Sequence, residues 1–483
     1  MKSIKNLFFL LALCCCAVAS AKVYTMKELS QIPGIGITEV NEGVYHVEID
    51  QTRTGTAYYD EDRISVTNRR ITILEGNSLK ILDGDTIKFG NRASFAVYGD
   101  IDADVATGAT LTAIPGCESH ALGLRMEGTN HVLNMNNLTV EYVYLALNCV
   151  NQQFTIRNCV FKELNGESNA PSNVNIFRDA DNSVVENCSF TGGYGGAISI
   201  AASAHVGVII RDNLFVQTNS ITPGIASLVL TPPGNRTMIV ENNRLIGPGA
   251  AITTNSSGIT VSDMRGNSVF TQDAKPIIFR NNYIADFVAG IIIFDCAKVR
   301  LENNEIVNNN FTFIGEDYGG YGISIKSSEE YPCEVFATGN RIEGNLIGVN
   351  VQFSGSKCNF GKIDDPTAPD YNPGQNVFVN NIKDGVPCDM WNDSKYDVYA
   401  QGNTWSVPKQ TEELIETVVH HKTDNPLLGQ VFFMPPGQYM SVDQLQVDDE
   451  NASDGIYYNL MGQPVTNPTH GIYINKGKKV LLP

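Results

Sequence analysis

Between about residue 130 and residue 405 the chain repeats a short phrase: apolar residues, then Asn, then another apolar residue. It reads VLNMNNLTV, FTIRNCVF, VVENCSF, VIIRDNLF, MIVENNRL, IIFRNNYI, VRLENNEI, VFATGNRI and VYAQGNTW. The repeat Asn are Asn137, Asn158, Asn187, Asn213, Asn243, Asn282, Asn304, Asn340 and Asn403. A second apolar column precedes these phrases, as Leu145/Leu147, Val174/Ile176, Ile198/Ile200, Leu228/Leu230, Ile291/Ile293, Ile323/Ile325 and Val349/Val351. Period-two alternation puts these pairs on one face of a strand and their neighbours on the other. One such unit cannot bury its own apolar face, so the pattern predicts stacked turns of a solenoid.

The spacing between repeat Asn is mostly between 21 and 39 residues and changes from turn to turn. That irregularity suits a parallel β-helix, whose turns swell by loop insertion, and fits poorly with the fixed periods of leucine-rich or ankyrin arrays. Roughly a dozen turns at ~4.8 Å would make a rod of about 50–60 Å. The repeat Asn are expected to bond one another up the stack. A solenoid end is an open sheet edge and needs a cover. Residues 22–60 read as an N-terminal cap, 61–405 as the stack, 406–436 as a C-terminal cap, 437–455 as a linker and 456–483 as a small β module. In the C-terminal cap, TEELIETVVHH has helical apolar spacing, with His420 and His421 at its end.

Composition narrows the function classes. With 43 Gly and 18% charged residues, the chain has the profile of a turn-rich all-β protein. A net charge of −18 and no basic stripe argue against nucleic-acid binding. The same charge predicts that a polyanionic glycan would need a calcium bridge, since like charges repel. No motif signals calcium or another metal. In Asp100-Ile101-Asp102-Ala103-Asp104 the acids share one strand face, and Val105 and Leu111 stand where an EF-hand wants Gly and Glu.

Residues 1–21 read as a signal peptide: Lys2 and Lys5, the apolar Leu7 to Leu13, then Ala19-Ser20-Ala21. Leu13 before Cys14 departs from a lipid-attachment site. No later stretch reaches the ~18 apolar residues of a membrane span. An exported monomer, released or held at the surface, is expected. Cys159 and Cys188 read as stacked thiols, and Cys333–Cys358 as the first choice for a bridge.

Together the repeats resemble the right-handed parallel β-helix superfamily, the architecture of pectate lyases and of many bacterial surface proteins. GQNVFVNN, YDVYAQGNTW, TEELIETVVHH and DNPLLGQVFFMP are similar to the closing turns of exported β-helix repeat proteins. The resemblance covers roughly residues 60–436 and implies an all-β, right-handed parallel β-helix with both ends capped. Ile456 to Leu460, Gly471-Ile472-Tyr473 and Gly477 to Val480 look like the end of a type IX secretion sorting domain, which implies passage through the outer membrane of a Bacteroidetes-type bacterium.

Catalytic signatures of the superfamily are missing. Inverting hydrolysis needs two carboxyls about 6.5–9.5 Å apart, and the one vicinal pair, Asp364-Asp365, lies in the Pro-rich insertion KIDDPTAPDYNPG. A lyase needs a base and a cation for the substrate carboxylate. Candidates just past the strand of the second apolar column are Arg178, Asp179, Asp295 and Lys326. The outward positions of that column, including Asn175, Phe177, Phe294 and Asn350, suit a sugar chain, because rings stack on aromatic faces and hydroxyls pair with amides. The sequence thus points to an exported protein in contact with polysaccharide. A polysaccharide lyase or glycoside hydrolase and a surface adhesin are the competing readings.

Overall fold

In the computed structural model the chain coils into stacked turns, most of them laying down three short strands. The residues described are 21–437, apart from 119, 164–171, 193–195, 202–204, 219–224, 252–255, 263–273, 296, 313–318 and 354–356, together with the short strands of the C-terminal tail. One turn runs through Ala289–Phe294, Lys298–Glu302 and Glu305–Val307, and the next through Tyr321–Ser327, Glu334–Thr338 and Arg341–Glu343. Strands of successive turns pair in parallel. The first strand of each turn joins a 15-stranded sheet, the first face, and the other two join a 25-stranded sheet as the second and third faces.

Alternation builds the core. Leu145, Val174, Ile198, Leu228, Ile259, Ile291, Ile323 and Val349 stack in register on the first face, all fully buried. Ile259, with Val261, is a rung that the second apolar column as read from sequence left out; its turn continues into the phrase IIFRNNYI. On the third face Phe161, Phe190 and Phe215 stack with ring centroids 4.6 and 4.9 Å apart, adding offset-stacking energy to their burial.

The corner between the second and third faces explains the Asn repeat. Each corner uses one residue in the left-handed region and then one ladder residue. Asn158, Asn187, Asp212, Asn242, Asn281 and Asn303 fill the first place, with φ between 51° and 57°. Asn tolerates that conformation because its short side chain bonds locally. Gly339 takes the same place at φ 68°, where a Cβ would meet the Asn303 side-chain oxygen at 2.2 Å. The ladder is Asn213, Asn243, Asn282, Asn304, Asn340, Asn376 and Asn403, each Nδ2 donating to the next Oδ1 at 2.8–3.0 Å.

This corrects the expected ladder at one end. Asn137 and Asn158 lie off it, with Nδ2 donating to the Val105 carbonyl and to Asn136 instead. Asn187 is an exposed corner residue. Cys159 and Cys188, one residue further on, hold the ladder places. The phrase is offset by one residue there, and a thiol fills the slot of the amide. A second ladder of Asn309, Asn345 and Asn381 runs nearby and ends on the buried Asp389, 3.0 Å from the last amide nitrogen. Asp389 also accepts the N–H and hydroxyl of Ser406.

Val23–Thr25 pairs with Ser78–Lys80, and helix Met26–Ser30 is closed by a capping box between Thr25 and Glu28. At the far end, the helix covers only Glu412–Glu416. The expected helical run breaks at β-branched Val418-Val419, and Val419–His420 instead pairs with Met390 and Trp391 as a last rung of the first face. His420 stacks on Trp391, and Nδ1 of buried His421 accepts the Val431 N–H at 2.9 Å. Cys333 and Cys358 are buried and not joined, Cys333 Sγ donating to the Phe294 carbonyl and Cys358 standing in register with Val335, so the expected bridge is not formed. The tail strands form a separate four-stranded antiparallel sheet.

Candidate functional site

On the first face the residues singled out by sequence fall into two groups. Asn175 and Asn350 are 4% and 2% exposed, so their amides are not presented as a surface strip. Asn175 donates to the Ser172 carbonyl. Phe177 is half-buried against the cluster of Tyr144 and Ala146, and Phe294 against one of Ala289, Ile292, Tyr321, Ile347 and Cys388. These aromatic surfaces are largely occupied by the protein's own side chains.

The four charged candidates do not converge. Arg178 and Asp179 follow strand Val174–Ile176, whereas Asp295 follows Ala289–Phe294, four strands further along the first face. At ~4.8 Å per rung the separation is about 19 Å. Arg178 donates to Asn148 at 3.2 Å, and Asp179 pairs with Arg236 at 3.6 Å. Asp295 and Lys326 are neighbours on adjacent rungs. Asp295 accepts the Ser328 N–H at 2.9 Å, and Lys326 is in register with Phe294 and Gln352. Burial lowers the Lys326 amine to about 8. Among the described residues, no three His, Cys, Asp or Glu side chains are grouped to hold a metal.

The second face carries a concave site that the sequence reading missed. Its outward column runs in register through Ile278, Arg300, Phe336, Asn359, Tyr399 and Phe432. Around it opens a cleft of about 790 Å³, lined by Lys298, Arg300, Glu334, Phe336, Lys357, Lys362, Asp370 and Tyr399. The Pro-rich insertion folds back as one wall. Lys362 and Asn372 exchange backbone hydrogen bonds, and Asn359 Nδ2 donates to the Asp370 carbonyl at 2.7 Å. Asp364 and Asp365 are exposed on that insertion and not on a strand.

Cations frame the aromatic rings. The Arg300 guanidinium lies 4.4 Å from the Phe336 centroid, and the Lys362 ammonium 4.6 Å from that of Tyr399. Lys362 also pairs with Asp370 at 2.6 Å, which raises the lysine and lowers the acid. Glu334 is shared by Lys298 and Lys357 at 3.8 and 3.4 Å. Tyr399 and Phe432 stack with centroids 5.4 Å apart. N–H donors packed against half-exposed aromatic rings suit a sugar chain, whose hydroxyls accept from the donors and whose C–H groups meet the remaining apolar surface. The signal was in the repeat: Ile278, Arg300, Phe336 and Tyr399 each stand four residues before a ladder Asn, where alternation points outward.

Comparison with known proteins bears on the fold. Residues 234–362 match the family described as right handed beta helix region. No curated protein matches the chain. Among solved structures, a point mutant of the periplasmic alginate epimerase AlgG is 12% identical with a TM-score of 0.43, over 86% of this chain and 84% of that one. The AlgG crystal structure without a named mutation is 11% identical with a TM-score of 0.38 over the same shares. Parallel pairing in three faces, the ladder corner and the matched segment together identify the chain as a right-handed parallel β-helix.

Proposed function

We propose that this is an exported or cell-surface protein that contacts polysaccharide through the flank of its rod and carries no recognisable catalytic signature. The observation that supports this reading is the cleft on the second face, which half-buried Phe336 and Tyr399 line together with Arg300, Lys298, Lys357 and Lys362. Export is carried by the signal-like N-terminal segment and the sorting-like tail. No helix among the described residues is long and apolar enough to cross a membrane. The test is to incubate the chain from Lys22 onward with neutral and acidic polysaccharides, with and without Ca²⁺, and to chromatograph the products. Polymers left intact but retained on the protein support binding.

A second reading, a polysaccharide lyase, rests on Lys326. A lysine whose amine is lowered to about 8 beside Asp295 has the properties of a general base. New oligosaccharides with an ultraviolet-absorbing unsaturated end, lost in Lys326→Met, would replace the binding reading with this one.

A further inference from the structure

Further along the second face, toward the N-terminal end of the rod, a groove of about 700 Å³ is lined by Arg157, Arg211, Arg236 and Lys275, with Asp181 the one acid among its lining residues. Glu186, Asp179 and Asp181 pair with its arginines, so the four cations leave a small positive excess in a chain of net charge −18. The arginines are held from behind. Glu186, its side chain 11% exposed, accepts from Nε of both Arg157 and Arg211, which occupy the rungs on either side of it. Asp181 holds the Nε of Arg236 at 2.8 Å. A guanidinium has five N–H donors, so bonding through one edge orients the group and leaves donors on its open edge. The Arg157 and Arg211 side chains are 47% and 40% exposed.

We infer that this groove binds the anionic groups of an acidic glycan directly, without a calcium bridge, and that the same glycan chain continues into the aromatic cleft. The inference rests on the carbohydrate reading above and names the class of polymer. Lys275 lines the groove and Pro276 lines the cleft. The outward column runs unbroken from Val184 through Ile209, Ile239, Ile278 and Arg300 to Phe336. Those rungs span about 24 Å at ~4.8 Å each. Net charge argued for a calcium bridge, but the field at a groove is set by the charges that line it. Guanidiniums already fixed by buried or flanking acids lose little freedom when an anion arrives.

The test is affinity electrophoresis of the chain from Lys22 onward through gels holding a polyuronate, a sulfated polysaccharide or a neutral polysaccharide, all in EDTA. The expected result is retardation by at least one acidic polymer that weakens as salt is added. The double variant R157Q/R211Q should lose about tenfold in affinity, equivalent to ~1.4 kcal/mol, measured well below its melting temperature, which should fall because Glu186 loses both partners. The charge-preserving R157K/R211K pair should fall between. Retardation by acidic polymers only when Ca²⁺ is supplied would overturn the inference. Retention that survives R157Q/R211Q but is lost in Phe336→Ala overturns the groove and leaves the carbohydrate reading standing. No retention on any gel overturns both.

Discussion

The backbone N–H of Cys188 donates to the side-chain oxygen of Asn213 at 2.9 Å, so a thiol and an amide occupy successive rungs of one column. From Asn213 onward every rung is an amide, and its geometry is repetitive. Asn282 Oδ1 accepts both the N–H and the Nδ2 of Asn243, while its own Nδ2 donates to Asn304 and to the Val240 carbonyl. Breaking one rung leaves several buried polar groups without partners, each worth about 1–3 kcal/mol. Asn282→Ala is therefore expected to destabilise the rod by at least about 3 kcal/mol in urea unfolding. A loss under about 1 kcal/mol would show that the ladder does not stabilise the stack.

Lys326 gives a pH-dependent prediction with a defined sign. Burial lowers its amine to about 8 from an ordinary value of 10.5. Between those values the unfolded chain binds more protons than the folded one, so stability rises with pH across that window. Lys326→Met is expected to remove the rise while leaving the rest of the profile in place. Amine acylation of Lys326, followed by peptide mapping, should titrate near pH 8. A midpoint near that of an exposed lysine would contradict the burial of this group and remove the base from the lyase reading.

Thiol reactivity tests the packing of the turns. Burial pushes the Cys149 and Cys388 thiols up to about 12, and Cys159, Cys188, Cys333 and Cys358 are also buried. Cys117 is the half-exposed member of the described set. Cys296 lies outside the described residues. In the chain from Lys22 onward with Cys296→Ser, a thiol reagent should modify the native protein quickly at Cys117 and label the others only on unfolding. Cys117→Ser should then abolish the fast phase. A fast phase that persists would mean that the turns around Cys159 and Cys188 open readily.

Much of the fold was legible because burial in a solenoid repeats. The Leu145 to Val349 column follows from period-two alternation alone, and the structure keeps its register. The ladder was legible only in part. In NC and NN pairs, sequence does not say which residue turns the corner and which enters the stack, and the left-handed φ of Asn158 and Asn187 settles it. The candidate site was the least legible part. Asn175 and Asn350 alternate outward as expected, yet outward on the first face does not mean exposed. Conversely, Phe336 and Tyr399 sit in plain repeat phrases, and their cleft depends on how the insertion after Gly361 folds back. Alternation sets the side of the strand, whereas loops decide which side meets solvent.

The central claim is that the flank carrying Phe336 and Tyr399 meets polysaccharide. Its most direct test is retardation of the wild-type chain and of the Phe336→Ala/Tyr399→Ala pair in polysaccharide gels, with melting curves measured alongside. The account predicts that the double variant keeps its melting temperature within a few degrees and loses about tenfold in affinity, equivalent to ~1.4 kcal/mol. Equal mobility of the two proteins in every gel that retards the wild type would contradict it.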